Sequence, residues 1–141
     1  MSPSKSSKPR PAERDYSHRL LADKLGIKPG QRISVMSVED ANFLAELAAR
    51  VPEYSPGELL KASDLIFFSA ESTKDLSRFK SLAKSMPPNG AIWAVYPKGQ
   101  KHIREIDVIA AAKSAGLVDN KVCSFSSTHT ALRICIPVAN R

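Results

Sequence analysis

A chain of 141 residues, 43% of them apolar and 25% charged, has the size and composition of one globular domain around one core. It has no run of about 18 apolar residues to cross a membrane, no apolar leader, and two cysteines, too few for a disulfide scaffold. The net charge of +7 divides into +3 over the first 19 residues and +4 over the other 122, which favours weak contact with nucleic acid or acidic partners. Together these features describe a cytoplasmic protein held in a reducing compartment.

In chain order, residues 1–15 are rich in Ser, Pro, Lys and Arg and read as a disordered basic tail, with a single domain over 16–141. Ser17 can cap a short helix carrying Leu20, Leu21 and Leu25, closed by Gly26. Lys28-Pro29-Gly30 is a turn. Arg32 to Val38 is the first strand, with Ile33, Val35 and Ser37 on one face and Met36 and Val38 on the other. Asp40 can cap a helix whose inner face is Phe43, Leu44, Leu47, Ala48 and Val51, stopped by Pro52. Glu53 to Ser63 shows no clear period beyond a Pro56-Gly57 turn and one helical turn over Glu58 to Ala62. Asp64 to Ala70 is a strand whose continuous apolar run suits a position covered on both faces.

Ser72 and Asp75 then resemble a capping box ahead of a helix burying Leu76, Phe79, Leu82, Ala83 and Met86. Ala91 to Tyr96 is a third buried strand, closed by Pro97-Lys98-Gly99. A helix over Ile103 to Ala115 turns Ile106, Ile109 and Ala110 inward and ends at Gly116-Leu117. Val122 to Ser127 and Ala131 to Pro137 form an antiparallel hairpin with its tip at His129. The expected core is Ile33, Val35, Leu44, Leu47, Leu65, Ile66, Phe67, Phe68, Phe79, Leu82, Ile92, Trp93, Val95, Ile109, Val122, Leu132 and Ile134. Strands alternating with helices imply a mainly parallel sheet in a Rossmann-like three-layer α/β/α sandwich. About five strands are expected, three of them parallel and two from the hairpin.

This order resembles the C-terminal part of a class I methyltransferase fold. Tyr16 to Gly30 (YSHRLLADKLGIKPG), Trp93 to Lys98 (WAVYPK) and Gly116 to Cys123 (GLVDNKVC) resemble a family of small bacterial proteins with that fold and no assigned activity. Thr128-His129-Thr130 stands where members of that family carry a Trp-Ser-Gly-like turn. The resemblance implies the fold and brings no reaction with it.

Chemistry narrows the field further. A dinucleotide site needs G-x-G-x-x-G after the first strand, so that backbone can approach pyrophosphate. Here Ser37-Val38-Glu39-Asp40-Ala41-Asn42 stands, without glycine and with two carboxylates, which repel phosphate. S-adenosylmethionine (SAM) carries cationic groups that Glu39 or Asp40 would not repel, yet a methyltransferase-like fold holds it with a glycine-rich turn that is missing. The usual acidic ribose anchor would fall near Glu58. At the strand ends, Ser37, Glu39 and Asp40, then Ser69, Glu71 and Ser72, then Tyr96, Pro97 and Lys98 can line a small polar site. Of these, Ser37, Glu39, Asp40, Ser69, Glu71, Tyr96 and Lys98 are the candidate cofactor-binding residues, although Asp40 and Ser72 also serve as helix caps.

His18, His102 and His129 lack metal-ligand spacing and read as surface residues. Cys123 and Cys135 are equidistant from His129 and would oppose each other across a hairpin centred there, either as a redox pair or as packed thiols. Lys98, Lys101, His102 and Arg104 form a basic cluster that, with the tail, would give weak nucleic-acid association. The first strand has no evident neighbour on its outer side, an edge through which a homodimer would pair. The leading reading is a degenerate, non-catalytic methyltransferase-like domain acting as a binding or regulatory module. The alternatives are a SAM-dependent methyltransferase with a glycine-free loop and a nucleic-acid-associated accessory protein.

Overall fold

The computed structural model of the chain describes residues 20–141; the basic tail, the Ser17 cap and His18 lie outside the described residues. Helix α1 (Leu21–Lys24) is one turn long and ends where Gly26 takes φ +72°, a conformation that costs glycine little. It is held by tertiary contacts rather than by its own length. The Ala22 N–H donates to Glu46 Oε1 at 2.8 Å, and the Trp93 indole N–H donates to the Leu25 carbonyl at 3.1 Å.

Strand β1 (Ile33–Met36) leads to α2 (Ala41–Arg50), where Asp40 is the N-cap and accepts from the Phe43 N–H at 2.8 Å. Phe43, Leu47 and Val51 are buried, whereas Ala48 is exposed and Leu44 only half-buried. The stretch that showed no period contains a short strand, β2 (Ser55–Pro56), and no helical turn over Glu58 to Ala62. β2 pairs with the outer side of β1, so the open edge expected there is covered along Ser34 and Val35. Two residues ending in proline are too short and too weak in donors to signal a strand in the sequence.

Strand β3 (Leu65–Ser69) runs into a 3-10 turn (Thr73–Arg78) and α3 (Phe79–Ala83). Strand β4 (Ala91–Pro97), helix α4 (Glu105–Ser114) and the antiparallel strands β5 (Val118–Ser124) and β6 (His129–Cys135) complete the domain. The six strands lie in the order β2-β1-β3-β4-β6-β5. The first four are mutually parallel, and β6 runs antiparallel between β4 and β5.

The pleat of the central strands divides the core into two layers. Ile33, Val35, Leu65, Phe67, Trp93 and Val95 pack with α1 and α2 on one side. Ile66, Phe68, Ile92, Ala94 and Tyr96 pack with α3 and α4 on the other. This is the Rossmann-like, mainly parallel α/β sandwich expected from the element order, with one more parallel strand.

Three local expectations fail. Strand alternation places Val38 on the face of Met36, but it packs in the layer of Ile33 and Val35. Ser37 adopts φ +67°, so strict alternation stops at Met36. In α4 the buried residues are Val108 and Ala112, while Ile106 is 64% exposed, Ala110 is exposed and Ile109 is half-buried. Apolar residues surround that helix on nearly every side, so its period does not select a phase. Val122, expected in the core, is 49% exposed because β5 is the outermost strand and has solvent along one side.

The cysteines are not opposed either. Cys123 pairs with Ala131, and Cys135 pairs with Val118 and Ala91. The chain reverses over Phe125–Thr128, ahead of His129, and a bulge at Asn120 shifts the register further.

Candidate functional site

The parallel strands point their carboxyl ends at one edge of the sheet, the edge at which open α/β sheets bind ligands. There a cavity of about 520 Å³ opens between the loops after β1 and β3 and the start of β6. Val38, Phe68, Val95 and Phe125 supply its apolar surface. Phe125 reaches it from the β5–β6 connection and packs on Phe43 with ring centroids 5.1 Å apart.

One wall is the loop Ser37–Asp40. Ser37, with its positive φ, turns the chain so that Val38 returns to the core and Asp40 reaches the N-terminus of α2. The other wall is a chain of polar contacts. Ser69 Oγ donates to Glu71 Oε2 at 3.1 Å. The same carboxylate oxygen takes the His129 Nε2–H at 3.1 Å. A neutral His129 donating from Nε2 has Nδ1 free as an acceptor, and the Thr128 hydroxyl lies 2.8 Å from it. Asp75 Oδ2 accepts the backbone N–H groups of Glu71 at 3.0 Å and Ser72 at 3.3 Å, which fixes the loop after β3. His102 Nε2 donates to the Glu71 carbonyl at 2.9 Å, so the loop after β4 is tied to the same point. The Arg78 guanidinium lies over the Phe68 ring, 5.3 Å from its centroid.

Of the residues singled out in the sequence, Ser37, Glu39, Asp40, Ser69 and Glu71 all line this cavity. Tyr96 does not. Its ring is buried on the α3–α4 side and its hydroxyl donates to Glu105 Oε1 at 3.3 Å. Burial, and then the charge and hydrogen bond of that carboxylate, push the phenol up to about 12. Lys98 is also turned away, its ammonium donating to Ser124 Oγ at 2.8 Å. Val95 packs in the α1–α2 layer, and Tyr96, next along the strand, packs in the α3–α4 layer, where Glu105 holds its hydroxyl.

The sequence reading missed Phe68, Arg78, Phe125, Thr128 and His129 as parts of the site. Glu71 and His129 are 58 residues apart, and only the strand order brings them together. The short polar run around His129 at the head of β6 was the one signal that could have pointed there. Among the described residues, no cluster of His, Cys, Asp and Glu is arranged to hold a metal ion.

No family model and no curated protein matches the chain. Solved structures do match in fold. A SAM-dependent methyltransferase from Aquifex aeolicus superposes with a TM-score of 0.63 at 13% identity, over 83% of this chain and 88% of that one. A SAM-dependent O-methyltransferase from Thermotoga maritima gives 0.61 at 11%, over 83% and 63%. A methyltransferase of calicheamicin biosynthesis in its SAH-bound form gives 0.59 at 12%, over 86% and 54%. The chain spans about half the length of several such structures. The fold is therefore a methyltransferase-like Rossmann α/β fold.

Proposed function

We propose that the chain is a binding module on a methyltransferase-like fold, working through the cavity at the strand ends and transferring no methyl group. The observation that carries this reading is the loop after β1. Ser37 holds the left-handed turn without being glycine, and Ser37 and Glu39, neither of them glycine, line the cavity. A fold of this kind leaves room there for backbone to approach the SAM amino acid tail. Glu58, the expected ribose anchor, is exposed and not among the residues lining the cavity. The donor set therefore does not fit SAM in the ordinary manner of the fold.

The module would comprise residues 16–141 and act in the cytoplasm, as would the small bacterial proteins whose motifs it resembles. The competing reading, a SAM-dependent enzyme with a glycine-free loop, draws support from neighbours solved with SAM or SAH.

Thermal unfolding with S-adenosylhomocysteine at millimolar concentration separates the two. No change in midpoint is expected. Occupancy at about 100 times the dissociation constant would add roughly 2.7 kcal/mol, a rise of about 10 °C in a domain of this size. A rise of that order would overturn the proposal in favour of the enzyme.

A further inference from the structure

Most charged groups at the cavity already have partners. Asp40 is occupied by the Phe43 N–H, Asp75 by two backbone N–H groups, and Glu71 by His129 and Ser69. Arg78 differs. Its guanidinium rests on the Phe68 ring, yet among the described residues it makes no ion pair and donates no hydrogen bond. Its N–H groups are therefore not committed to another described side chain at the cavity it lines. A guanidinium presents a planar fork that matches the two oxygens of a carboxylate at once. Phe68, Val95 and Phe125 give the same cavity its apolar lining. Glu39 stands on the facing wall without a partner among the described residues, so a doubly charged phosphate is repelled more than a single carboxylate.

We infer that the cavity receives a small monocarboxylate with an aromatic or aliphatic body. The carboxylate lies on the Arg78 guanidinium, and the body lies against Phe68, Val95 and Phe125. The inference rests on reading the cavity as a ligand site and adds the class of ligand.

The test is titration of the 15N-labelled full chain by NMR with benzoate, benzylammonium, benzyl alcohol and inorganic phosphate. Benzoate is expected to shift amide signals in the segments Phe68–Arg78 and Phe125–His129 at millimolar concentration. Arg78→Gln should weaken it at least about tenfold at unchanged melting temperature, while Arg78→Lys, which keeps the charge but loses the fork, should weaken it less. If Arg78→Gln fails to fold, the Arg78→Lys titration and the order of the probes decide alone. Benzylammonium or benzyl alcohol binding as well as benzoate would overturn the carboxylate assignment while keeping the cavity as a ligand site. Phosphate matching benzoate would overturn the apolar body. Silence from all four probes would overturn both the inference and the binding-module reading.

Discussion

Ser37 sits at φ +67°. An L-residue there costs roughly 1–2 kcal/mol, of which glycine would recover part after its own chain entropy of about 0.5–1 kcal/mol is subtracted. Ser37→Gly is therefore expected to stabilise the fold by about 0.5–1 kcal/mol in urea unfolding, and an unchanged or lowered midpoint would show that the serine hydroxyl compensates for the strain. Tyr96 makes a pH-dependent prediction. Its phenol is raised from 10.0 to about 12, first by burial and then by Glu105, so the folded state favours the neutral form. That contribution is complete below pH 10 and lost as pH rises through about 12. Tyr96→Phe should accordingly lose less stability than the parent across this window, measured as the difference in urea midpoints. Parallel decline of the two proteins would remove Tyr96 as the cause.

Capping governs the elements that frame the cavity. Asp40 closes the first turn of α2 through the Phe43 N–H, and nothing else in that turn is acidic. Asp40→Ala should cost about 1 kcal/mol with an unchanged denaturant slope, and Asp40→Asn should recover most of it. A loss within error for Asp40→Ala would mean that tertiary packing of Phe43 and Leu47 holds the helix end unaided. At the other end of the chain, α4 closes in a Schellman motif. The Leu117 N–H reaches the Ala112 carbonyl at 2.9 Å and the Gly116 N–H reaches that of Lys113 at 2.9 Å, with Gly116 at φ +80°. Its first turn is drawn in by Asp107, whose carboxyl is held below the usual range by the Arg104 backbone N–H, 2.9 Å away. The same local chemistry appears after β3, where Asp75 serves Ser72 as the expected capping box requires. Such contacts span three to five residues, and those of Ser72 with Asp75 and of Gly116 with Leu117 are legible in the sequence.

Across the whole molecule, strand order decides which groups meet. Cys123 on β5 pairs with Ala131, which lies four residues from Cys135 along β6, roughly 13 Å at the rise of a strand. That exceeds the reach of a disulfide, which needs Cα atoms within about 7 Å. Cys123 is also half-buried, and burial raises its thiol and lowers its thiolate fraction. Under mild oxidant the native protein should keep both thiols free by mass spectrometry; an intramolecular disulfide would show that the β5–β6 ladder opens in solution. The outer edge of β5 carries the bulge at Asn120, and Lys121 there donates to the Lys24 carbonyl at 3.0 Å. Bulge and lysine together discourage a further strand from adding to that edge.

The amino-acid sequence by itself determined the central strands and their helices. LIFFS and AIWAVY are continuous apolar runs that only a doubly covered strand can bury, and Asp40, Asp75 and Gly116 mark helix ends through contacts with near neighbours. It also brings Ser37, Glu39, Asp40, Ser69 and Glu71 to one edge of the sheet, because they follow strands whose ends must share it. The tertiary structure alone decided the rest. The insertion of β6 between β4 and β5 carries His129 to Glu71 and Phe125 to Phe43, and Tyr96 packs on the α3–α4 side with its hydroxyl on Glu105. These are contacts between residues far apart in the chain, set by strand order and register, and no local period encodes either.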